Sequence, residues 1–560
     1  MTPAYSFQWS HRSMFPFFAR VSLVCLSLAT LEPIAAHASA CDALKALSLP
    51  DTSIDSTVTT AAGPYRDGSK YWSLADELPE HCRVRATLRP GDDSDIKFEV
   101  WLPATAAWNG KLHAGGNGGF AGSINYQSGL AAAVQRGYVG VSTDTGHVGK
   151  DEDASWAKGH PEKVIDYGHR AVHLATANAK AILQAYYGKA AKRSYFISCS
   201  NGGRQALMAA QRYPDDYDGI IAGAPANDWT GLMLSFIWNA QALLKPGAYI
   251  PASLAATIQA GVNAQCDALD GVSDGVVSRP QACNFKPERL LCAPGQSEQC
   301  LTTPQVEALR SIYQGPRTAN GVQLFPGFDP GAEAGFPVPG IGWDGWIFGS
   351  GAGNSNQGRM VTSFMRSMIT GNESWQFTDF NFDRDPPLVL EKVGSVLNAT
   401  DPDLSAFARR GGKLILFHGW ADAAIPPRNS IKYFESMGER MGEQQRASFA
   451  RLFMVPGMQH CLAGPGPSSF GGLTAATQPL NAAVDLSAAL ERWVEEGTAP
   501  ESVRAIRARD MVRALFDPKR ADVERSGVIC AYPKQAKWNG TGNPADSSSY
   551  ACADLRAGER

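Results

Sequence analysis

The stretch that most restricts what this chain can fold into is Ser198-Cys199-Ser200-Asn201-Gly202-Gly203. It follows a short apolar run, residues 194–198 (SYFIS), that reads as a strand, and it precedes residues 204–213, which read as a helix. A serine at the centre of an S-x-S-x-G turn between strand and helix is lifted above the sheet edge. The amide of the next residue, Asn201, then points at the group the serine attacks. Small residues are required because the backbone is strained and crowded there. The helix N-terminus adds a field that favours negative charge. The turn differs from G-x-S-x-G only at Ser198, and an ordinary Ser/Gly turn is the competing reading.

The flanking sequence supplies the rest of an α/β sheet. Residues 96–102 (IKFEVWL), 110–114, 138–142, 220–222, 413–418 (KLILFH) and 451–455 (RLFMV) read as strands, and residues 167–187 and 480–496 as helices. Alternation of this kind predicts a mostly parallel sheet with helices on both faces. The middle of the chain, residues 227–400, is rich in Gly, Pro, Trp, Asn and Ser and is expected to be one large insertion that would form a lid domain over the site. Residues 41–226 and 401–560 would then be the catalytic domain. Hydrophobic residues are 44% of the 560 and charged residues 19%, so the chain can bury a large core and is not disordered. The net charge is −3 with no long basic block, which excludes nucleic acid as an expected partner.

Residues 1–40 resemble an export signal: His11, Arg12 and Arg20, an apolar run at 21–31, Pro33, and Ala38-Ser39-Ala40 before Cys41. That run rises only about 16 Å as a helix, short of the roughly 30 Å of a bilayer core, so a membrane anchor is rejected. Acylation of Cys41 is the lesser alternative. The protein is therefore expected to be secreted or periplasmic, with no membrane association after cleavage. Cleavage removes Cys25 and leaves ten cysteines, an even set that implies five disulfides. Neighbours in sequence suggest Cys266 with Cys283, Cys292 with Cys300, and Cys530 with Cys552, while Cys41 and Cys82 would tie the N-terminal segment. Cys199 and Cys461 remain, and spacing alone does not establish that they pair.

Two loops complete the chemistry. Asp422 follows the strand ending at His418, and His460 follows the next strand, in Pro456-Gly457-Met458-Gln459-His460-Cys461. The order Ser, Asp, His is that of an α/β-hydrolase. In that arrangement His460 takes the Ser200 proton and Asp422 fixes the imidazole tautomer. A capping carboxylate and a surface histidine are the bland alternatives. Gly115-Gly116-Asn117-Gly118-Gly119-Phe120 follows an early strand, where this fold supplies a second oxyanion amide. No Lys-Ser/Thr follows it, which disfavours a phosphate loop. Within the insertion, Asp267, Asp270 and Asp274 fall in eight residues with Gly271 and Gly275. Hard oxygen donors on a flexible loop suit Ca²⁺, and a solvated acidic turn is an equal alternative on chemistry alone.

Cys199-Ser200, Asp422 and His460-Cys461 resemble the CS-D-HC arrangement of the tannase/feruloyl esterase family, together with the Leu78-Pro79-Glu80-His81-Cys82 and Trp108-Asn109-Gly110 segments. The resemblance covers nearly the whole mature chain. It implies a disulfide between Cys199 and Cys461. It implies oxyanion amides on Gly118 and Asn201, and a structural Ca²⁺ held by Asp267, Asp270 and Asp274 with the carbonyls of Val272 and Val276. It implies substrate contacts from Trp346 and Phe364 of the lid and from His418 and Ile425 of the core, with lid core packing as the alternative for Trp346 and Phe364. Terephthalate-monoester hydrolases of the family pair a lid arginine with the substrate carboxylate. Arg359 is the candidate here and Arg366 lies near, but neither is in clear register, and Asn117 is a further difference, so terephthalate specificity is not carried over.

The function implied is a secreted serine carboxylesterase acting on small esters of hydroxylated aromatic acids, with no organic cofactor. Three rivals stand beside it: a terephthalate monoester hydrolase, a non-catalytic calcium-stabilised polyphenol- or carbohydrate-binding protein, and a cysteine hydrolase using Cys199.

Overall fold

Nine strands build one sheet, in the spatial order β1-β2-β3-β5-β4-β6-β7-β8-β9. They are β1 (Thr52–Thr60), β2 (His81–Leu88), β3 (Ile96–Pro103), β4 (Lys111–Ala114), β5 (Val139–Thr143), β6 (Arg193–Cys199), β7 (Gly219–Gly223), β8 (Lys413–Gly419) and β9 (Ala450–Val455). The six strands from β5 to the β9 edge are parallel, and β1, β2 and β3 add antiparallel pairs at the other edge. This is an α/β-hydrolase sheet. The computed structural model describes residues 40–66, 73–471, 485–511 and 522–554. The export signal expected at residues 1–40 and Cys25 fall almost entirely outside these.

The strand sequences show why the sheet is sandwiched. Along β8, Leu414 and Leu416 enter one core with α1 (Ala171–Tyr187), α2 (Asn201–Arg212) and α7 (Arg428–Met441). Ile415 and Phe417 enter the core on the other face with α8 (Leu486–Glu496). The two-residue period of the strand thus sends successive side chains to opposite layers, and both are apolar because both are covered. Gly223 lets Phe417 cross at the end of β7, since a Cβ there would lie 2.2 Å from the Phe417 ring.

The insertion leaves the core after β7 and returns before β8. Its ends meet: the Ala399 amide donates to the Asn227 carbonyl at 2.8 Å. Between them lie α3 (Trp229–Leu244), α4 (Ala255–Cys266), α5 (Thr303–Gln314) and α6 (Asn356–Phe364), with two apolar clusters of their own. Both clusters include residues of the Asp422 loop: Ala424 and Ile425 in one, Ala421 and Ala423 in the other. The insertion therefore packs onto the loops at the C-terminal ends of the parallel strands. The five disulfides are Cys41–Cys82, Cys199–Cys461, Cys266–Cys283, Cys292–Cys300 and Cys530–Cys552. No helix among the described residues is long and apolar enough to cross a membrane.

Candidate active site

Ser200 sits between β6 and α2 at φ 65° and ψ −129°, a conformation that a residue with a side chain adopts only when its surroundings enforce it. Those surroundings are tight. A Cβ on Gly202 would lie 1.9 Å from Ser198 Oγ, and one on Gly203 would lie 2.4 Å from the Gly223 carbonyl. The two glycines let the helix start against the sheet. The helix begins at Asn201, three residues earlier than the sequence suggested, because the glycines enter its first turn.

His460 and Asp422 reach Ser200 from the loops after β9 and β8. His460 Nε2 is 2.9 Å from Ser200 Oγ, and its Nδ1 is 2.8 Å from Asp422 Oδ2. Nδ1 faces a carboxylate and so carries the proton, which leaves Nε2 to accept from the serine hydroxyl. Asp422 is 1% exposed and its oxygens are fully engaged. Oδ1 accepts the Ala424 and Ile425 amides at 2.8 and 2.9 Å, and Oδ2 also accepts from His418 at 3.0 Å. Burial alone would raise this carboxyl, but the charge and hydrogen bonds of His460 and His418 outweigh it and hold Asp422 well below the usual carboxylate range.

Two amides near Ser200 are free. Among the described residues, neither the Gly118 nor the Asn201 N–H donates to an acceptor. Asn201 is fully buried, so its idle amide costs free energy unless a substrate oxygen meets it.

The side chains behind these amides were not found by sequence reasoning. Tyr167 Oη donates toward the Gly119 carbonyl at 2.9 Å and is 3.2 Å from Asn201 Oδ1. Arg204, with no exposed surface, donates to Asn201 Oδ1 at 2.8 Å, to the Gly168 carbonyl at 2.8 Å and to the Leu397 carbonyl at 3.3 Å, and lies over the rings of Tyr167 and Trp229. Burial pushes the Tyr167 phenol above its ordinary value. One phenol thus ties the glycine loop to the residue after Ser200, and one guanidinium ties both to the returning end of the insertion. Asn117, noted as a departure, turns inward: its Nδ2 donates to the Ser123 and Thr143 carbonyls, and its amide donates to Gln205 Oε1. A lone Tyr or Arg far away in sequence offers no motif. Only the Arg204 position, one turn into the helix, was a signal.

The expected substrate contacts divide. Trp346 is half-buried and meets His460 edge-on, with ring centroids 5.5 Å apart, so it stands at the site. Phe364 is fully buried in the insertion core with Met360, Val361 and Trp229, which corrects its reading as a contact surface to one of packing. His418 is corrected in the same way. It has no exposure, its Nε2 lies between Asp422 Oδ2 and the Ile425 carbonyl, and its Nδ1 is 2.7 Å from Ser430 Oγ, so it braces the acid from behind. Ile425 is 2% exposed and contributes its amide to Asp422. Arg359 is exposed and forms a two-pronged pair with Glu152 at 2.8 and 3.0 Å, the arrangement of a surface ion pair and not of a free cation waiting for a carboxylate. Arg366 donates to the Trp375 carbonyl at 3.0 Å. The insertion also holds the loops that carry Asp422 and His460: Gln459, beside His460, bonds the Ala334 carbonyl and the Phe336 amide, and Gln357 of α6 bonds the Ala423 carbonyl. Cys199 is disulfide-bonded to Cys461, so it is no thiol nucleophile.

The acidic loop follows α4. Asp267 accepts the Asp274 and Gly275 amides, Asp270 the Val272 amide and Asp274 the Val276 amide, while Arg525 donates to Asp274 Oδ2 at 2.7 Å. Burial, reinforced by the charges of Asp274 and Asp267, raises the Asp270 carboxyl. No three His, Cys, Asp or Glu side chains among the described residues converge as a metal centre. The donor chemistry nevertheless suits a hard cation: three carboxylates repel one another on one loop, beside the buried Val272 and Val276 whose carbonyls would add neutral oxygen.

The chain is similar to known proteins over most of its length. The family model described as tannase and feruloyl esterase matches residues 82–553. An uncharacterized esterase of Xanthomonas campestris pv. campestris is 40% identical over 558 residues, covering 95% of this chain and 94% of its own. The mono(2-hydroxyethyl) terephthalate hydrolase of Piscinibacter sakaiensis is 32% identical over 586 residues, covering 93% and 92%. The crystal structure of feruloyl esterase B from Aspergillus oryzae superposes with a TM-score of 0.82 at 27% identity, covering 92% of this chain and 100% of that one. The chain belongs to the tannase and feruloyl esterase family and is a carboxylic ester hydrolase.

Proposed function

We propose that the protein is an exported serine carboxylesterase that hydrolyses esters of hydroxylated aromatic acids through Ser200, His460 and Asp422. The hydrogen-bonded chain from Ser200 Oγ through His460 to Asp422 carries the reading. Ser200 Oγ attacks the ester carbonyl carbon while His460 Nε2 takes its proton. The carbonyl oxygen becomes an oxyanion, which the Gly118 and Asn201 amides receive. The C–O bond to the alcohol breaks as His460 returns the proton to the leaving oxygen, leaving Ser200 acylated. Water, deprotonated by His460, repeats the sequence and frees the acid. Asp422 stays ionised throughout and stabilises the imidazolium. Trp346, edge-on to His460, offers the aromatic acid a wall from the insertion, which acts as the lid. Five disulfides support folding in an oxidising compartment. Ca²⁺ on Asp267, Asp270, Asp274 and the Val272 and Val276 carbonyls would neutralise the loop's charge and stabilise the insertion without entering the reaction.

The test is turnover of methyl ferulate, methyl gallate and the terephthalate monoester by the wild type and by Ser200→Ala. The wild type should hydrolyse a hydroxylated aromatic ester, Ser200→Ala should lose at least about 10³-fold in kcat, and a fluorophosphonate should label Ser200. Preference for the terephthalate monoester would move the specificity to the rival enzyme. Failure to label Ser200 would remove Ser200 as the nucleophile.

A further inference from the structure

The loop after β5 brings to the site a carboxylate that the triad does not use. The Asp151 carbonyl accepts the Phe120 amide at 2.9 Å, and Asp151 presses so closely on Gly119 that a Cβ there would lie 2.2 Å from its carbonyl oxygen. The carboxylate itself lies toward Gly118, where an added Cβ would be 3.4 Å from Asp151 Oδ2, and Gly118 is exposed. The Asp151 charge also reaches the phenol of Tyr167, which is hydrogen-bonded to Asn201. Asp151 therefore stands beside Gly118, one of the two residues whose amides are free.

Its neighbours have protein partners. Glu152 is paired with Arg359, and Asp153 accepts from the Ser155 amide and from the Ser155 and Ser363 hydroxyls. Among the described residues, the Asp151 carboxylate accepts no hydrogen bond and forms no ion pair. Asp151 is exposed, so its carboxylate faces solvent, while partial desolvation, and then the charge of Glu152, push its carboxyl up. A negative charge beside a developing oxyanion opposes the reaction unless a donor satisfies it. An exposed carboxylate that no protein donor occupies is open to exchange its solvent for a substrate hydroxyl, which gives a strong, charge-assisted bond.

We propose that Asp151 is a specificity-determining residue that accepts a hydrogen bond from a hydroxyl of the substrate and discriminates against esters bearing a free carboxylate. The role rests on the proposed use of Ser200 and of the Gly118 and Asn201 amides, and it adds a charge filter to them. It also gives a physical reason, independent of Arg359, for the protein to turn over terephthalate monoesters poorly.

The experiment compares wild type, Asp151→Asn and Asp151→Ala on four substrates: a hydroxylated aromatic methyl ester, the same ester with its hydroxyls methylated, a terephthalate monoester, and the matching neutral diester. Asp151→Ala should lose about tenfold in kcat/KM on the hydroxylated ester and little on the methylated one. Both variants should raise the monoester-to-diester ratio of kcat/KM several-fold. Added salt should narrow the monoester–diester gap of the wild type but not that of Asp151→Asn. Equal changes on all four substrates would overturn this role while leaving the proposed function standing. No turnover of any of the four by the wild type, with Ser200 unlabelled, would overturn the proposed function and this role with it.

Discussion

Replacing Tyr167 by Phe removes a single oxygen and keeps the ring among its neighbours, so its consequences can be worked from the contacts. The Arg204 guanidinium, 4.8 Å from the ring centroid, and the Phe120 and Trp229 rings, at 6.2 and 5.9 Å, keep their partner. The Gly119 carbonyl loses the phenol that donates to it at 2.9 Å, whereas Asn201 Oδ1 keeps Arg204 at 2.8 Å. One hydrogen bond goes and one acceptor is left short, which corresponds to about 1–2 kcal/mol of stability. Catalysis depends on whether that bond holds the glycine loop in register with Asn201. If most of its worth, about 1.4 kcal/mol, acts on the oxyanion and not on the bound ester, kcat falls about tenfold while KM barely moves. Steady-state kinetics on a neutral aromatic ester, beside a thermal melt, read both quantities. A double-mutant cycle with Asn201→Ala, which keeps the amide but deletes the shared acceptor, should show coupling above about 0.5 kcal/mol. A lowered melting temperature with unchanged kcat, or strictly additive effects, would show that the phenol only packs the core and would refute the oxyanion link.

Three further outcomes follow from the same contacts. Replacing Cys199 and Cys461 together by Ser opens a link across a sequence separation of 262 residues, worth about 2–4 kcal/mol in typical cases; activity should fall about tenfold or more at a temperature where circular dichroism is unchanged, and full activity in the double variant would refute the clamp between Ser200 and His460. Asp144 is buried at the end of β5, and burial pushes its carboxyl up to about 7 from 3.8. Its neutral form is the one the fold favours, so its contribution is present at low pH and is lost as pH rises from about 4 through about 7, by up to about 4 kcal/mol. Asp144→Asn should therefore melt close to the wild type at pH 4 and above it at pH 8, and a constant difference across that range would count against the assignment. Chelation should lower the melting temperature, and Ca²⁺ at about 100 times its Kd should restore about 2.7 kcal/mol, with Mg²⁺ less effective; a melt indifferent to both would remove calcium from the acidic loop.

Much of the site could be read from local chemistry. Residues 198–203, the aspartate after one strand and the histidine after the next each sit where a short apolar run stops, and their order along the chain implies a shared sheet edge. The runs themselves are legible because a strand buried on both faces must be continuously apolar, as in residues 219–223 and 413–419. Helix boundaries were less legible. The α2 helix starts at Asn201, because the glycines that look like a turn are there for close contact with β6 and β7. The helix expected over residues 167–187 is α-helical only from Ala171, after a wider turn over Asp166–Arg170.

The sequence by itself determined the chemistry of the site: which serine, histidine and aspartate meet, and that a sheet of alternating strands and helices delivers them. Only the tertiary structure decided what surrounds them. His418 and Phe364 look like wall residues by position, yet one is hydrogen-bonded behind Asp422 and the other is sealed in the insertion core. Arg359 could have been a free cation and is instead paired with Glu152. Tyr167, Arg204 and Asp151 carry no motif and gain their places only when distant segments pack together. The difference is physical. Backbone hydrogen bonding and hydrophobic period act over a few residues and leave a pattern in the chain. The partner of a buried phenol, guanidinium or carboxylate is set by where separate elements meet, which no local pattern encodes.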